Sequence, residues 1–527
     1  MDKKSIWERI SLRTFVPPAV LLVLTVIIAF VIPQQFGAAM KGALNWVELN
    51  FGWFFVLMTT LFVGVLLWLA FSKYGNIRFG GKDAKPDMPT WKWFCVVLTS
   101  GMAAGLCYYG VAEPLDFFLN PPGFSGVAGG SPQAAELSLR YVFMHWGLHP
   151  YAIYTMGGLA AGFLYWNCKR RFHVSTGLIP LIGEKANGKL ADWINGLCIF
   201  GFIAGFSTAI GLSSDQIATG FLYVTGLDIN KNILYVIICL IFAVPSILAA
   251  CSGLHKGIAK VSTFNMWIYF ILMAGGLLLG KNLIFILNNT VSSVGQYFQF
   301  LPGQSLYTEA AQQTGWVNGW TIFYWAWWLS VCPLVGLFQT KMAKGRTVRE
   351  FILVNMVAPL LFVIAWFGIF GSSAIEMVLH GNTSIPEVYN ELGSSIVFFA
   401  WAKELPGSVI WYILGFLAII FSVITLFEAQ VLTLSDMCTK GVELDDTSKD
   451  ETKRSPIPLK VFWGLLFVSM GFALLYSQGG LSAVQTTSVV LGLPILILTS
   501  LLMISAIKVF TQYKKYDKTL GKDEDYF

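Results

Sequence analysis

The chain has 527 residues, of which 56% are hydrophobic and only 12% are charged. A soluble domain carries about 25% charged residues, so this composition excludes an ordinary soluble protein and indicates an all-α polytopic membrane protein. The formal net charge of +6 is spread over short segments between hydrophobic runs, and we therefore expect no nucleic-acid partner.

About twelve hydrophobic runs are long enough to cross a lipid bilayer, since a spanning helix needs about 20 apolar residues. In chain order, the predicted spans are 14–33, 52–72, 92–119, 139–166, 191–224, 233–253, 262–287, 317–341, 351–379, 407–438, 457–477 and 484–510. The connections between them are short, so the sequence predicts no separate soluble domain.

Lys and Arg residues crowd into alternate connections, and this pattern predicts the orientation. The basic positions are the N-terminus, 73–92, 167–189, Lys256 and Lys260, 341–349, 440–460 and the C-terminus. Cytoplasmic loops carry an excess of basic residues, so an even number of spans places both termini in the cytoplasm. We expect a multi-pass protein of the plasma membrane. Residues 288–314 and 393–404 are predicted to form interfacial elements on the outer side.

Two clusters of aromatic residues lie inside predicted spans. Residues 320–328 hold four Trp, one Tyr and one Phe, whereas the aromatic residues of a membrane interface occur in ones and twos. The second cluster contains Trp146, Tyr151 and Tyr154, and its two tyrosines share one face of a helix. Because quaternary ammonium groups are recognised through the faces of aromatic rings, the clusters predict a cage for such a small-molecule substrate.

Two spans contain residues that weaken a continuous helix. The third carries the small-residue stretch 100–105, and the eighth contains Cys332-Pro333, where proline removes a backbone donor within the membrane. In transporters built from inverted repeats, such broken helices flank the substrate. Spans three to seven and eight to twelve divide into two sets of that kind. The predicted organisation is an N-terminus with two helices (1–91), a first repeat (92–287), an outer interfacial helix and loop (288–315), a second repeat (316–510) and a cytoplasmic tail (511–527).

A membrane-embedded enzyme and a channel are the competing functions. The chain has no metalloprotease, nucleophile-elbow or P-loop motif, and no continuous polar stripe runs through several spans, so we expect neither. His145 and His149 have the i, i+4 spacing of metal ligands, but no third ligand lies near them in the sequence. We therefore expect no metal and no cofactor.

Four segments resemble the signature segments of the betaine/choline/carnitine transporter (BCCT) family. They are GVAEP at 110–114, HWGLHP at 145–150, the aromatic run 325–328 and KGRTVREF at 344–351. The resemblance extends over roughly residues 10–510. It implies a LeuT-type fold with two inverted five-helix repeats and two additional N-terminal helices, assembly as a homotrimer, and transport of betaine, carnitine, butyrobetaine or choline.

The same resemblance implies a set of substrate-binding residues. The family's aromatic box maps onto Trp146, Tyr151, Tyr154, Trp327 and Trp328. Phe323 and Met102 are predicted to bind the substrate as well. A position three residues past the Trp pair is commonly Trp in sodium-coupled betaine carriers, and here it is a valine. The predicted box therefore offers less ring area than in those carriers.

The residues that would couple transport to an ion indicate two different transport modes. Sodium-coupled members carry adjacent Thr and Ser where this chain has Thr425-Leu426, and a leucine offers no oxygen to a hard cation. Sodium-independent carnitine exchangers carry an Arg at the position of Asn265. The sodium-coupled members tend to have Asn there, as this chain does. The resemblance therefore leaves sodium- or proton-coupled symport open beside the favoured interpretation, exchange of one substrate for another.

Further residues are candidates for coupling or gating. The backbone near Ala103 and the acid Glu428, in the tenth span, are candidates for an ion or proton site together with Thr425 and Asn265. An ionisable residue inside a membrane span is a functional candidate. Asp116 and Trp325 are interpreted as vestibule or gate residues, with Asp116 attracting a cation to the outer mouth.

Overall fold

The computed structural model describes residues 6–101, 103–252, 255–442, 454–476 and 480–521, and these residues fold into α-helices with short connections. Helices of seven or more residues are numbered here in chain order. They are α1 (Leu12–Val31), α2 (Pro33–Phe71), α3 (Thr90–Gly101), α4 (Ala103–Leu119), α5 (Pro132–Trp146), α6 (Leu148–Trp166), α7 (Lys189–Thr225), α8 (Lys231–Ser252), α9 (His255–Leu279), α10 (Leu283–Ser305), α11 (Phe323–Lys341), α12 (Ala358–Leu379), α13 (Ser384–Leu392), α14 (Val397–Lys403), α15 (Ser408–Met437), α16 (Ile457–Tyr476) and α17 (Gly480–Thr511).

By length and composition, 9 helical segments of the described chain can cross a membrane. They are Leu12–Val31, Pro33–Phe71, Lys189–Thr225, Lys231–Ser252, Ala259–Leu279, Val317–Lys341, Val348–Leu379, Ser408–Met437 and Val489–Thr511. The other predicted spans fall on the pair α3 and α4, the pair α5 and α6, and α16, whose apolar part is shorter. The protein is thus an all-α polytopic membrane protein, as its composition predicted.

The predicted break at Cys332-Pro333 is wrong, because α11 runs without interruption from Phe323 to Lys341. Pro333 removes only one helical hydrogen bond. The residues around it are buried on all sides of the helix, so packing against neighbouring helices keeps the helix continuous. The irregular part of this span is instead its beginning, a π-helical turn over Val317–Ile322. The predicted weak point at 100–105 includes Met102, which lies outside the described residues.

The fourth predicted span, 139–166, is divided at Gly147. The sequence predicted one continuous helix there. Gly147 has φ −93° and ψ −122° and separates α5 from α6. A Cβ atom at this position would lie 2.2 Å from the carbonyl oxygen of Phe143. Only glycine therefore permits this change of direction, which places the second aromatic cluster at the junction of α5 and α6.

Two glycines bring α6 and α11 into backbone contact. A Cβ on Gly158 would lie 2.1 Å from the carbonyl oxygen of Gly336, and one on Gly336 would lie 2.4 Å from the nitrogen of Gly158. Small residues allow membrane helices to approach this closely. The contact holds the two predicted aromatic clusters side by side in the centre of the bundle.

The elements predicted at the interface are helical, but their limits differ from the expectation. α10 begins at Leu283 rather than at residue 288 and ends at Ser305, and it packs against α5 and α12. The preceding span ends at Leu279, earlier than predicted. The second interfacial region consists of two short helices, α13 and α14.

Candidate substrate-binding site

A buried cavity lies where α3, α4, α6, α7, α11 and α15 meet. Its lining residues are Gly101, Gly105, Tyr154, Gly205, Phe206, Ala209, Trp327, Trp328, Val331, Val335 and Leu426. The cavity volume is about 30 Å³, whereas one water needs about 10–15 Å³ measured in the same way. Entry of a trimethylammonium group therefore requires the lining rings to move apart, and the structure shows the site in a closed conformation.

Trp328 is the centre of the aromatic packing around the cavity. Its ring centroid lies 4.8 Å from that of Tyr154, 5.7 Å from that of Tyr151 and 5.9 Å from that of Trp146. The side chain is only 1% exposed. Rings at these distances pack edge to face or tilted, so Tyr151 and Trp146 support the wall that Trp328 and Tyr154 present to the cavity.

Trp327 forms a second wall, and its orientation is held by a hydrogen bond. Its Nε1 donates to the backbone oxygen of Gly205 at 3.1 Å, and its ring stacks on Phe323 with a centroid separation of 5.9 Å. Phe323 itself is buried behind Trp327 and does not line the cavity. The predicted pair at 327 and 328 thus contributes two different walls, since adjacent helical residues point about 100° apart.

The cavity wall that α7 contributes was absent from the predicted set of site residues. Phe206, Gly205 and Ala209 come from α7. A Cβ on Gly205 would lie 1.9 Å from the Oγ of Ser330, so this glycine allows α7 to reach α11. Small residues recur at 201, 205 and 209 along the fifth predicted span, and this spacing was the signal that could have identified the α7 wall. Val331 also lines the cavity. It occupies the position where sodium-coupled betaine carriers commonly have a larger residue, Trp.

A buried carboxylate, Glu113, joins three of the surrounding elements. Its Oε2 accepts hydrogen bonds from Trp146 Nε1 at 2.5 Å and from the Tyr324 hydroxyl at 2.6 Å. Its Oε1 lies 2.9 Å from His145 Nδ1, and His145 Nε2 lies 3.0 Å from the Thr321 hydroxyl. A buried charge is tolerated only when it is well paired. The network ties α4 to the end of α5 and the start of α11, directly beside the cavity.

Asp116 and Trp325 do not line this cavity. Asp116 accepts hydrogen bonds from the hydroxyl of Tyr389 at 2.6 Å and from Asn120 at 3.0 Å. Burial, together with the neighbouring Asp116, raises the pKa of the Tyr389 hydroxyl. Trp325 is fully buried and stacks on His149 with a centroid separation of 5.0 Å. These positions are thus connected to neighbouring helices rather than to the aromatic walls.

The candidate coupling residues lie on α15, α9 and α4. The Thr425 hydroxyl donates to the backbone oxygens of Phe421 and Ser422 at 2.9 and 3.0 Å. Asn265 donates from its Nδ2 to the Ser422 hydroxyl at 2.9 Å, one turn from Thr425. Ala103 opens α4, and Met102 lies outside the described residues.

Glu428 is a buried acid on the same helix, with 3% of its surface exposed. No hydrogen bond or ion pair joins its side chain to another residue in the described part of the chain. Among those same residues, no group of three or more His, Cys, Asp and Glu side chains is arranged to hold a metal ion. His145 is already engaged with Glu113.

Together these features define a class: a helical membrane protein with a closed aromatic cavity at the centre of its bundle. The family model for BCCT, the betaine/carnitine/choline family transporter, matches residues 13–515. The chain belongs to this family, which confirms the interpretation of the signature segments. It is accordingly a transporter and not an enzyme.

Three curated relatives illustrate the similarity. The chain is 32% identical over 494 residues to the glycine betaine transporter OpuD of Bacillus subtilis (strain 168), covering 93% of this chain and 92% of the relative. It is 31% identical to the ectoine/hydroxyectoine transporter of Virgibacillus pantothenticus, covering 95% and 97%. It is also 31% identical to the osmo-independent choline transporter BetT1 of Acinetobacter baylyi (strain ATCC 33305 / BD413 / ADP1), covering 90% and 89%.

Proposed function

We propose that this protein moves quaternary ammonium compounds of the betaine, carnitine, butyrobetaine or choline type across the membrane by alternating access. The observation that carries the proposal is the cavity wall formed by Trp328, Trp327 and Tyr154, which presents aromatic rings from two helices to one small space. A permanently methylated cation has no proton to donate, so ring faces satisfy it better than hydrogen-bond acceptors do.

The architecture that we propose for this activity is the twelve-span, LeuT-type arrangement. Nine spans of the described chain, the pairs α3–α4 and α5–α6, and α16 are compatible with that number. The division into an N-terminal pair of helices (1–91), repeats at 92–287 and 316–510, an outer element at 288–315 and a tail at 511–527 belongs to the same proposal. Family membership is the support for a homotrimer, and the positive-inside pattern is the support for cytoplasmic termini.

For the transport mode, we propose exchange of one quaternary ammonium compound for another without sodium. Leu426 lines the cavity at the position where sodium-coupled members carry a serine, and a hydrocarbon side chain there offers no ligand to a hard cation. Thr425 supplies a single hydroxyl, and that hydroxyl already donates to the helix backbone. These contacts favour a site without bound sodium.

The test is counterflow into proteoliposomes. Vesicles loaded with unlabelled glycine betaine, γ-butyrobetaine or choline are diluted into sodium-free potassium buffer with the membrane potential clamped, and uptake of the radiolabelled compound is measured. We expect strong uptake that depends on internal substrate. Uptake that appears only with an inward sodium gradient, whatever the internal substrate, would overturn the exchange mode.

A proton-coupled symporter is the second candidate, and Glu428 is the observation that favours it. A buried carboxyl without a partner in the described chain can gain or lose a proton during a transport cycle. If this mode operates, uptake follows an imposed inward proton gradient, a protonophore abolishes it, and Glu428→Gln removes the response. Under the exchange mode, Glu428→Gln leaves counterflow intact.

A further inference from the structure

A membrane-facing groove lies between the N-terminal parts of α1 and α7, and it shares no lining residue with the aromatic cavity. Its volume is about 400 Å³. The lining residues are Arg13, Pro17, Pro18, Leu21, Lys189, Asp192, Trp193, Gly196, Leu197 and Phe200. We propose that this groove binds an anionic glycerophospholipid, with the acyl chain along its apolar part and the phosphate at its basic end.

The apolar part of the groove is built to accept a hydrocarbon chain. Its walls are proline, leucine and phenylalanine side chains from both helices, and its rim carries Trp193, which is 70% exposed. Only 28% of the most apolar stretch of α1 is buried, so this helix faces lipid along most of its length. Gly196 forms the open floor: a Cβ there would lie 3.6 Å from the Cδ of Pro18, with no closer contact.

The polar end of the groove is suited to a phosphate. Arg13 lies in the first turn of α1 and Lys189 is the first residue of α7. Both side chains are exposed, and neither forms an ion pair or hydrogen bond with another residue that the structure describes. Basic pockets between membrane helices on the cytoplasmic side hold anionic headgroups, and the predicted orientation places this end on that side.

The backbone adds to the attraction for an anion. α1 and α7 both begin without a side-chain cap on their free N–H groups, and helix N-termini favour negative charge. Asp192 opposes this attraction, but its Oδ1 accepts a hydrogen bond from the buried Thr14 hydroxyl at 3.2 Å. Two cations and two uncapped helix ends thus face one carboxylate, and the balance favours an anionic over a zwitterionic headgroup.

The start of α1 is held in place rather than free to follow the membrane surface. Ser11 donates from its backbone nitrogen to the carbonyl oxygen of Cys438 at 2.8 Å, and Ile10 forms an isolated β-bridge with Thr439. These contacts fix Arg13 relative to the rest of the bundle. The basic end of the groove is therefore a preformed site, which lowers the entropic cost of binding a lipid.

The experiment uses the full-length protein in nanodiscs that contain equal amounts of phosphatidylglycerol and phosphatidylcholine, followed by native mass spectrometry of the released protein. Three variants are compared with the wild type. They are the charge-neutralising pair Arg13→Gln/Lys189→Gln, the groove-filling Gly196→Leu, and Lys92→Gln, an exposed lysine of the same predicted side that serves as the matched control.

We expect the wild type to retain phosphatidylglycerol preferentially. Each neutralised cation should lower that retention about fivefold, since a basic residue near the surface contributes about 1 kcal/mol. Gly196→Leu should lower retention of both lipids, and Lys92→Gln should change nothing. Equal retention of the two lipids by the wild type, or unchanged retention in the double variant, would overturn the proposal.

A second copy of this chain is the alternative occupant of the groove. In that case Gly196→Leu would convert a larger assembly into monomers while the number of retained lipids stayed constant, and the lipid proposal would be wrong. Because lipid retention is measured without transport, the result is independent of the proposed exchange activity.

Discussion

Replacement of Trp328 tests the aromatic site most directly. Trp328→Ala removes the ring that contacts Tyr154, Tyr151 and Trp146 and leaves an open wall in the cavity. A desolvated cation–π contact contributes about 2 kcal/mol, which corresponds to a rise of about 30-fold in Kd. Trp328→Phe keeps a ring face at the same place, so we expect only a small part of that loss.

The same substitution also reduces the stability of the fold, and a matched control separates the two effects. Loss of a buried Trp costs about 3–5 kcal/mol of folding free energy. Trp325 lies three residues earlier on the same helix and is equally buried, but it stacks on His149 and does not line the cavity. Trp325→Ala should therefore destabilise the protein to a similar degree while substrate affinity remains close to that of the wild type.

The assay is isothermal titration of the purified, folded variants with glycine betaine and γ-butyrobetaine, with thermal unfolding recorded on the same samples. Because only folded protein is titrated, a change in Kd reports binding and is not caused by a loss of stability. If Trp328→Ala and Trp325→Ala lose affinity to the same extent, or if Trp328→Ala binds as the wild type does, Trp328 is not a wall of the substrate site.

Three further outcomes follow from the structure. Glycine betaine should compete for uptake better than dimethylglycine, whose proton needs an acceptor that ring faces supply poorly; the reverse order would favour an acid-centred site. Glu113→Gln should lower the free energy of unfolding by about 1.5–3 kcal/mol, because a charge-assisted hydrogen bond is lost. The control is Glu136→Gln, at a half-buried acid of α5, which should lower it less in the same thermal unfolding assay. Gly158→Ala should destabilise the fold by about 1–3 kcal/mol, because the added methyl group overpacks against Gly336. The control is Gly295→Ala, whose added Cβ meets no atom within 4 Å and which should be neutral or stabilising. Similar melting temperatures of the two variants would refute the close contact.

The Glu113 network explains how the aromatic walls keep their positions in the closed conformation. The carboxylate holds Trp146 and Tyr324 on one oxygen and faces His145 with the other. Breaking these bonds leaves a buried charge unpaired, which is costly. We therefore expect the three elements to move as connected units when the site opens, rather than ring by ring.

The sequence alone determined the membrane class, the approximate position of most spans and the family. These properties depend on local composition, because the bilayer selects apolar segments one at a time. The aromatic residues at 146–154 and 327–328 were also evident, since their density within apolar segments is unusual. Their grouping into one site was an expectation from pattern and resemblance.

Tertiary structure decided where helices bend and which side chains share the cavity. The turn at Gly147, the unbroken course of α11 through Pro333, and the entry of Phe206 into the cavity all depend on contacts between segments distant in the chain. The close approach of Gly158 to Gly336 sets the depth at which Trp328 meets Tyr154. Periodicity cannot supply such a distance, because it records the faces of one helix and not the neighbour against which each face packs.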